Sequence, residues 1–218
     1  MTRLQIAQDS AADGLLSRDP FALLAGMMLD QQFPMERAFA GPYLLAERMH
    51  AAGAGREGSG NAAGGSAGAE GVLTLDPAAL TAAAPEDVTA WMTGPPAVHR
   101  FPGSMGERLR SLAAVVLDQY GGDTTRIWTD PVPDGSPPTG LVVRKRLEAL
   151  PGFGKQKASI FLALLGKQLR VDLPGWREAA GGYGEEGTYR SVADVRDAGS
   201  LAKVREFKKM AKAARSAG

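Results

Sequence analysis

Between Leu147 and Ala158 the chain reads "LEALPGFGKQKA", and few local structures satisfy that order. The apolar pattern of "LVVRKRLEAL" has helical spacing, with Leu147 and Leu150 turned to one side. Pro151 cannot continue that helix, and Gly152 and Gly154 open backbone angles denied to other residues. A second helix is expected at once, because "KQKASIFLALLGK" carries a long apolar run and no proline. The segment therefore predicts two helices folded back on a short glycine turn, with Phe153 plugging the space between them. The first N–H groups of the second helix lack internal partners and lie at the positive end of its dipole. With glycines before them, a phosphate can approach, and Lys155 and Lys157 add charge nearby.

The rest of the chain is punctuated in the same helical manner. Asp19 followed by Pro20 starts a helix whose run "FALLAGMML" is apolar nearly all round, so it is expected to be buried. A further apolar pattern spans Arg37 to Met49, interrupted by Gly41–Pro42. Asp76–Pro77 and "APEDVTAWM" mark two more starts, the second with acids in its first turn. "ERLRSLAAVVLDQY" has helical spacing and stops at Gly121–Gly122. In the tail, Leu201, Val204, Phe207 and Met210 share a stripe. Alternating strand patterns are scarce, and the expected class is all-α. Residues 51–71 are Gly/Ala/Ser-rich and read as a flexible insertion that cannot offset its ordering entropy.

Composition narrows the chemistry. The 218 residues include no Cys and only two His, His50 and His99. Disulfides, thiol catalysis, cysteine-held zinc and iron–sulfur clusters are excluded, and a histidine metal site is not expected. No apolar run approaches the roughly 18–20 residues of a membrane span. The N-terminus lacks the apolar stretch of a signal peptide, so a cytosolic protein is expected. Net charge is +1, but Arg144 to Arg170 carries a local +6 and Lys203 to Arg215 a local +5. Two basic blocks on an otherwise acidic chain fit either a polyanion-facing side or two solvated helix faces.

The turn Leu150, Pro151, Gly152, Phe153, Gly154, then Ala158, resembles the helix-hairpin-helix element that contacts DNA backbones without sequence preference. Downstream, "LLGKQLRVDLPGWRE" resembles the helix-hairpin-helix base-excision DNA glycosylases (HhH-GPD), the superfamily of endonuclease III and the adenine glycosylases. There Val–Asp follows the hairpin's second helix and an Arg comes a few residues on, here Val171, Asp172 and Arg177. "DPFALLAGMMLDQQ" is similar to that family's early buried helix ending in glutamine. The likeness covers most of residues 15–180, and the run "LPG" after Asp172 departs from the family's usual one.

The resemblance implies one domain over 1–218 with two helical lobes and a DNA cleft between them. Residues 19–50 and 72–170 would form mainly a helical-barrel lobe, with the hairpin at 144–165. Residues 1–18 and 171–218 would form mainly the second lobe. It implies a protein acting as a monomer on double-stranded DNA with a lesion or mismatch, at the nucleoid, with no metal or organic cofactor and no iron–sulfur cluster. Asp172 would stabilise the charge that builds on the sugar as the bond to the base breaks, and orient or deprotonate the attacking water. Its bland alternative is to cap the next helix. Members that also cut the backbone carry a lysine where this chain has Gln156, and a helical step turns Lys155 and Lys157 about 100° away from that point. A glycosylase without efficient lyase activity is expected. After base extrusion, a gap-filling amide is needed. Gln31 and Gln32 lie at that place, Gln32 the better aligned, with Phe101 a candidate wedge. Gly152, Phe153, Gly154, Lys155, Lys157 and Arg177 would complete the DNA contacts. Loop packing for Phe101 and a core position for Trp176 are the plain alternatives. The same scaffold without catalysis, or with a lyase lysine at 155 or 157, are the competing functions.

Overall fold

The computed structural model describes residues 3–54 and 72–216, with side chains as far as 214. The insertion expected over 51–71 lies, beyond residue 54, outside the described residues. All regular structure among the described residues is helical, which agrees with the all-α expectation.

Local chemistry explains most helix starts. α1 (Ser10–Arg18) begins where the Asp9 carboxylate accepts the amides of Ala11 and Ala12. α2 (Pro20–Leu29) begins at Asp19, whose carboxylate accepts from Ala22 and, at its other oxygen, from Leu75 at 2.7 Å. Every residue from Phe21 to Leu29 is buried, as its all-round apolar character requires. α3 (Met35–Ala51) runs straight through Gly41–Pro42, where the sequence suggested an interruption. Pro42 has no amide to donate. Close packing holds the helix together there, because a β-carbon at Gly41 would press on Leu29 Cδ1 and Val98 Cγ1. α4 (Pro77–Ala82), capped by Asp76, and α5 (Pro85–Thr93) both pack on α6 (Pro102–Tyr120), which ends at Gly121 with φ +62°. α7 (Arg126–Thr129) leads into the hairpin of α8 (Gly140–Glu148) and α9 (Lys155–Lys167).

α1 packs chiefly on α3 and α2, and α2 touches α6, so one continuous apolar cluster runs through these helices and into α9. The short α10 (Trp176–Ala180) lies across α8 and α9. Trp176 is seated between them so closely that a β-carbon at Gly140 would overlap its backbone, and one at Gly166 would overlap its indole. Two short 3₁₀ turns follow, Gly181–Tyr183 and Val192–Asp194, the second joined to α9 through the Lys167 Nζ to Asp194 Oδ1 pair at 2.6 Å. α11 (Ala198–Ser216) buries Leu201 and Val204, whereas Phe207 and Met210 of the same stripe are exposed. Its outer half is held by side chains, Arg205 to Glu36 and Lys208 to Asp30 at 3.3 Å. Among the described residues no helix is long and apolar enough to cross a membrane.

Candidate nucleic-acid interface

The glycine turn is built as its sequence demands. Leu150 N–H donates to Leu147, and Phe153 N–H returns to Leu150 at 3.1 Å, closing the bend. Gly152 sits at φ +76°, and a β-carbon there would press on Met28 at the end of α2. Phe153 is buried with its ring edge-on to Phe161 at 6.2 Å, so it fills the space between the helices. Gly154 differs from its neighbours. Its backbone is extended (φ −112°, ψ −178°), and a β-carbon built on it would meet nothing within 4 Å. Neither the fold nor the backbone angle requires glycine there. What its missing side chain leaves open is the approach to the start of α9, which has no side-chain cap. Among the described residues the amides of Gly154, Lys155, Gln156 and Lys157 find no acceptor. Those donors face outward beside the helix dipole, with exposed Lys155 next to them.

Lys157 departs from the role suggested by its place in the sequence. Its Nζ donates to the carbonyls of Met27 (2.8 Å) and Met28 (2.7 Å), the last open acceptors of α2. The hairpin lysine thus caps another helix rather than extending toward a phosphate. Burial drives its pKa down to about 8, with the charges of Arg108 and Lys208 adding to the shift and Asp30 opposing it.

From Met28 a chain of contacts reaches the two other candidates on this edge. The Gln31 side chain donates to Met28 O (2.8 Å) and accepts from Arg108 (3.2 Å), so both ends of its amide are engaged within the protein. Gln32 is exposed, adopts φ +50°, and its side chain has no hydrogen-bond partner among the described residues. A non-glycine residue in that left-handed region is strained by about 1 kcal/mol. The Gln31 carbonyl meets His99 Nε2 at 3.0 Å, and His99 Nδ1 accepts from the Phe101 amide at 3.1 Å. Phe101 is 46% exposed at the start of α6, with Arg100 over its ring. The structure therefore gathers Gly152, Gly154, Lys155, Gln32 and Phe101 along one connected edge.

Asp172 and Arg177 are not part of that edge. The Val171 amide donates to Leu165 O at 3.0 Å, and the Gly140 amide to Pro174 O at 2.9 Å. Both bonds belong to the end of the hairpin away from the turn, since Gly140 opens α8 and Leu165 lies near the close of α9. At a helical rise of ~1.5 Å per residue, Lys155 and Leu165 are about 15 Å apart along the axis. The Asp172 carboxylate is exposed at that far end, and no side chain caps α10, whose N-cap is Gly175. The expected helix cap is not formed, and the carboxylate stands at the opposite end of the hairpin from the turn. Arg177 stacks on Trp176 at 4.4 Å and pairs with Glu186. Trp176 is buried in the core rather than offered to a base. Gln156, which the resemblance sets where some members carry a lysine, is exposed and donates to the Tyr183 hydroxyl at 2.9 Å.

Comparison with protein-family models, curated proteins and solved structures finds no match to this chain. The site therefore stands on its own geometry: outward amides, one free lysine, one amide side chain carried on a left-handed backbone, and one exposed aromatic. Among the described residues no cluster of His, Asp or Glu is arranged to hold a metal. Two participants carry no signal in the sequence. His99 acts through main-chain atoms, and the Lys157 acceptors are carbonyls of residues far away in the chain.

Proposed function

We propose that this chain binds duplex DNA along the hairpin edge as a helix-hairpin-helix protein. One strand's phosphates would accept from the amides at 154–157. The observation that carries this reading is Gly154. An exposed glycine with an ordinary backbone and empty space before it serves a close approach from outside. Lys155 and the basic outer half of α11 supply the accompanying charge, and Gln32 and Phe101 are prongs suited to enter a disturbed base stack.

A second reading, base excision without lyase activity, is favoured by those two prongs. The amide of Gln156 cannot form a Schiff base, so water would attack the sugar. Against Asp172 as its catalyst stands the roughly 15 Å of helix that separates its anchoring bonds from the turn. Excision would therefore need another arrangement of residues 168–175, and binding without catalysis needs none.

The deciding experiment measures binding to duplexes with single uracil, hypoxanthine, alkylpurine, oxoguanine or mismatched bases, then treats each with alkali. Binding that weakens steeply with salt is expected, and a flat salt response would remove the hairpin reading. Strand breaks only after alkali would establish excision. Breaks without alkali would establish a lyase.

A further inference from the structure

We infer that His99 is a positioning residue that holds the two prongs, Gln32 and Phe101, in fixed register on the hairpin edge. This inference rests on the DNA-binding reading above. His99 is 1% exposed, and both of its ring nitrogens are engaged by main chain next to the prongs. Phe101 N–H donates to Nδ1, so Nδ1 carries no proton, and Nε2–H donates to the carbonyl of Gln31. The two loops so joined are 68 residues apart in the chain. The imidazole packs between Phe33, at 4.8 Å, and Phe101, at 6.1 Å. An apolar side chain of similar size fills that space but makes neither bond. The Gln31 carbonyl bond fixes the peptide leading into Gln32, and the Phe101 amide bond fixes the first turn of α6 from which the aromatic projects.

Protonation breaks this arrangement, because an Nδ1–H would face the Phe101 N–H. The surroundings oppose protonation. Burial lowers the imidazole pKa first, the carbonyls of Gln31 and Leu29 work the other way, and the charges of Lys157 on α9 and Arg108 on α6 lower it further. Arg37 on α3 lies over the Phe33 ring, Arg100 lies over Phe101, and Asp30 stands at the end of α2. The prongs are accordingly locked at neutral pH and released in acid.

The test uses the full chain and a duplex with a single 2-aminopurine opposite thymine, whose fluorescence rises when the base unstacks. Wild type is expected to raise it, and Gln32→Ala and Phe101→Ala to lose the rise. His99→Leu should lose it equally at protein concentrations that saturate the duplex. With wild type the rise should vanish as the pH falls below the ordinary histidine value of 6.5. His99→Gln, which retains a donor toward Gln31, should keep the rise without that pH dependence. A full rise in His99→Leu, or a wild-type pH profile in His99→Gln, overturns the assignment and leaves the DNA-binding reading intact. No rise with wild type, despite binding, overturns the prongs and His99 together. Loss of binding itself overturns the reading beneath them. Should His99→Leu not fold, the wild-type and His99→Gln pH profiles decide alone.

Discussion

Lys167 Nζ and Asp194 Oδ1 lie 2.6 Å apart with side chains 3% and 4% exposed, an ion pair almost wholly removed from water. The second carboxylate oxygen accepts the amides of Arg190 and Ser191, and the lysine also donates to Glu185 O. The pair thereby fastens the segment after α10 to the end of α9. Removing one partner leaves a buried charge without compensation. Asp194→Ala should lower unfolding stability by about 3–5 kcal/mol, measured by urea denaturation. A loss below about 1 kcal/mol would mean that water reaches the site.

Gly154 and Gly152 should separate folding from binding. Gly154→Ala is expected to change stability by less than about 0.5 kcal/mol, since its β-carbon meets nothing and its backbone suits any residue. The same change should weaken DNA binding roughly tenfold, about 1.4 kcal/mol, by blocking the phosphate. Gly152→Ala, at φ +76° and against Met28, should cost about 1–2 kcal/mol of stability. Thermal melting and fluorescence anisotropy on the same samples check both.

The two hairpin lysines should behave differently. Lys155→Ala should reduce the slope of log affinity against log salt by about one and leave the melting temperature unchanged. Lys157→Ala should lower the melting temperature, because the Met27 and Met28 carbonyls lose their donor.

Lys157 also imposes a pH dependence. Its pKa is about 8 in the folded protein against an ordinary 10.5, so the unfolded chain holds the proton across that interval and the folded chain does not. Stability contributed by this site therefore rises as pH climbs from about 8 to 10.5. The difference in unfolding free energy between wild type and Lys157→Met should grow in the wild type's favour over that window and be level below it.

Asp172→Asn should leave DNA affinity unchanged, since the residue stands at the opposite end of the hairpin from the turn. Any excision found in the lesion panel should survive it as well. Loss of product in this variant, with binding intact, would show that residues 168–175 rearrange on DNA.

What the sequence made legible was local. Asp19 and Asp76 announce helix starts because a carboxylate and a following proline act within one turn, and Gly121 ends α6 for an equally local reason. The hairpin was readable on the same grounds. Pro42 misled because α3 is held through it by contacts with Leu29 and Val98, which no window of sequence contains. Periodicity grouped Phe207 and Met210 with Leu201 and Val204, but it fixes only a shared side, not whether anything covers it. Asp172 follows α9 as its spacing implies. Whether the chain then doubles back toward the turn is decided by two main-chain bonds, Val171 to Leu165 and Gly140 to Pro174, which have no signature in side-chain pattern. His99 was invisible for the same reason.

Trp176 wedged between Gly140 and Gly166 has a consequence at the other end of the hairpin. An indole that leaves no room for a β-carbon on either helix sets the angle between α8 and α9, and with it the direction in which the bare amides point. The turn is thus shaped before any ligand arrives, and little freedom would be lost on contact with one. A surface aimed in advance spends less of its contact energy on ordering, so any strand it meets is held more tightly than a loose turn would hold it.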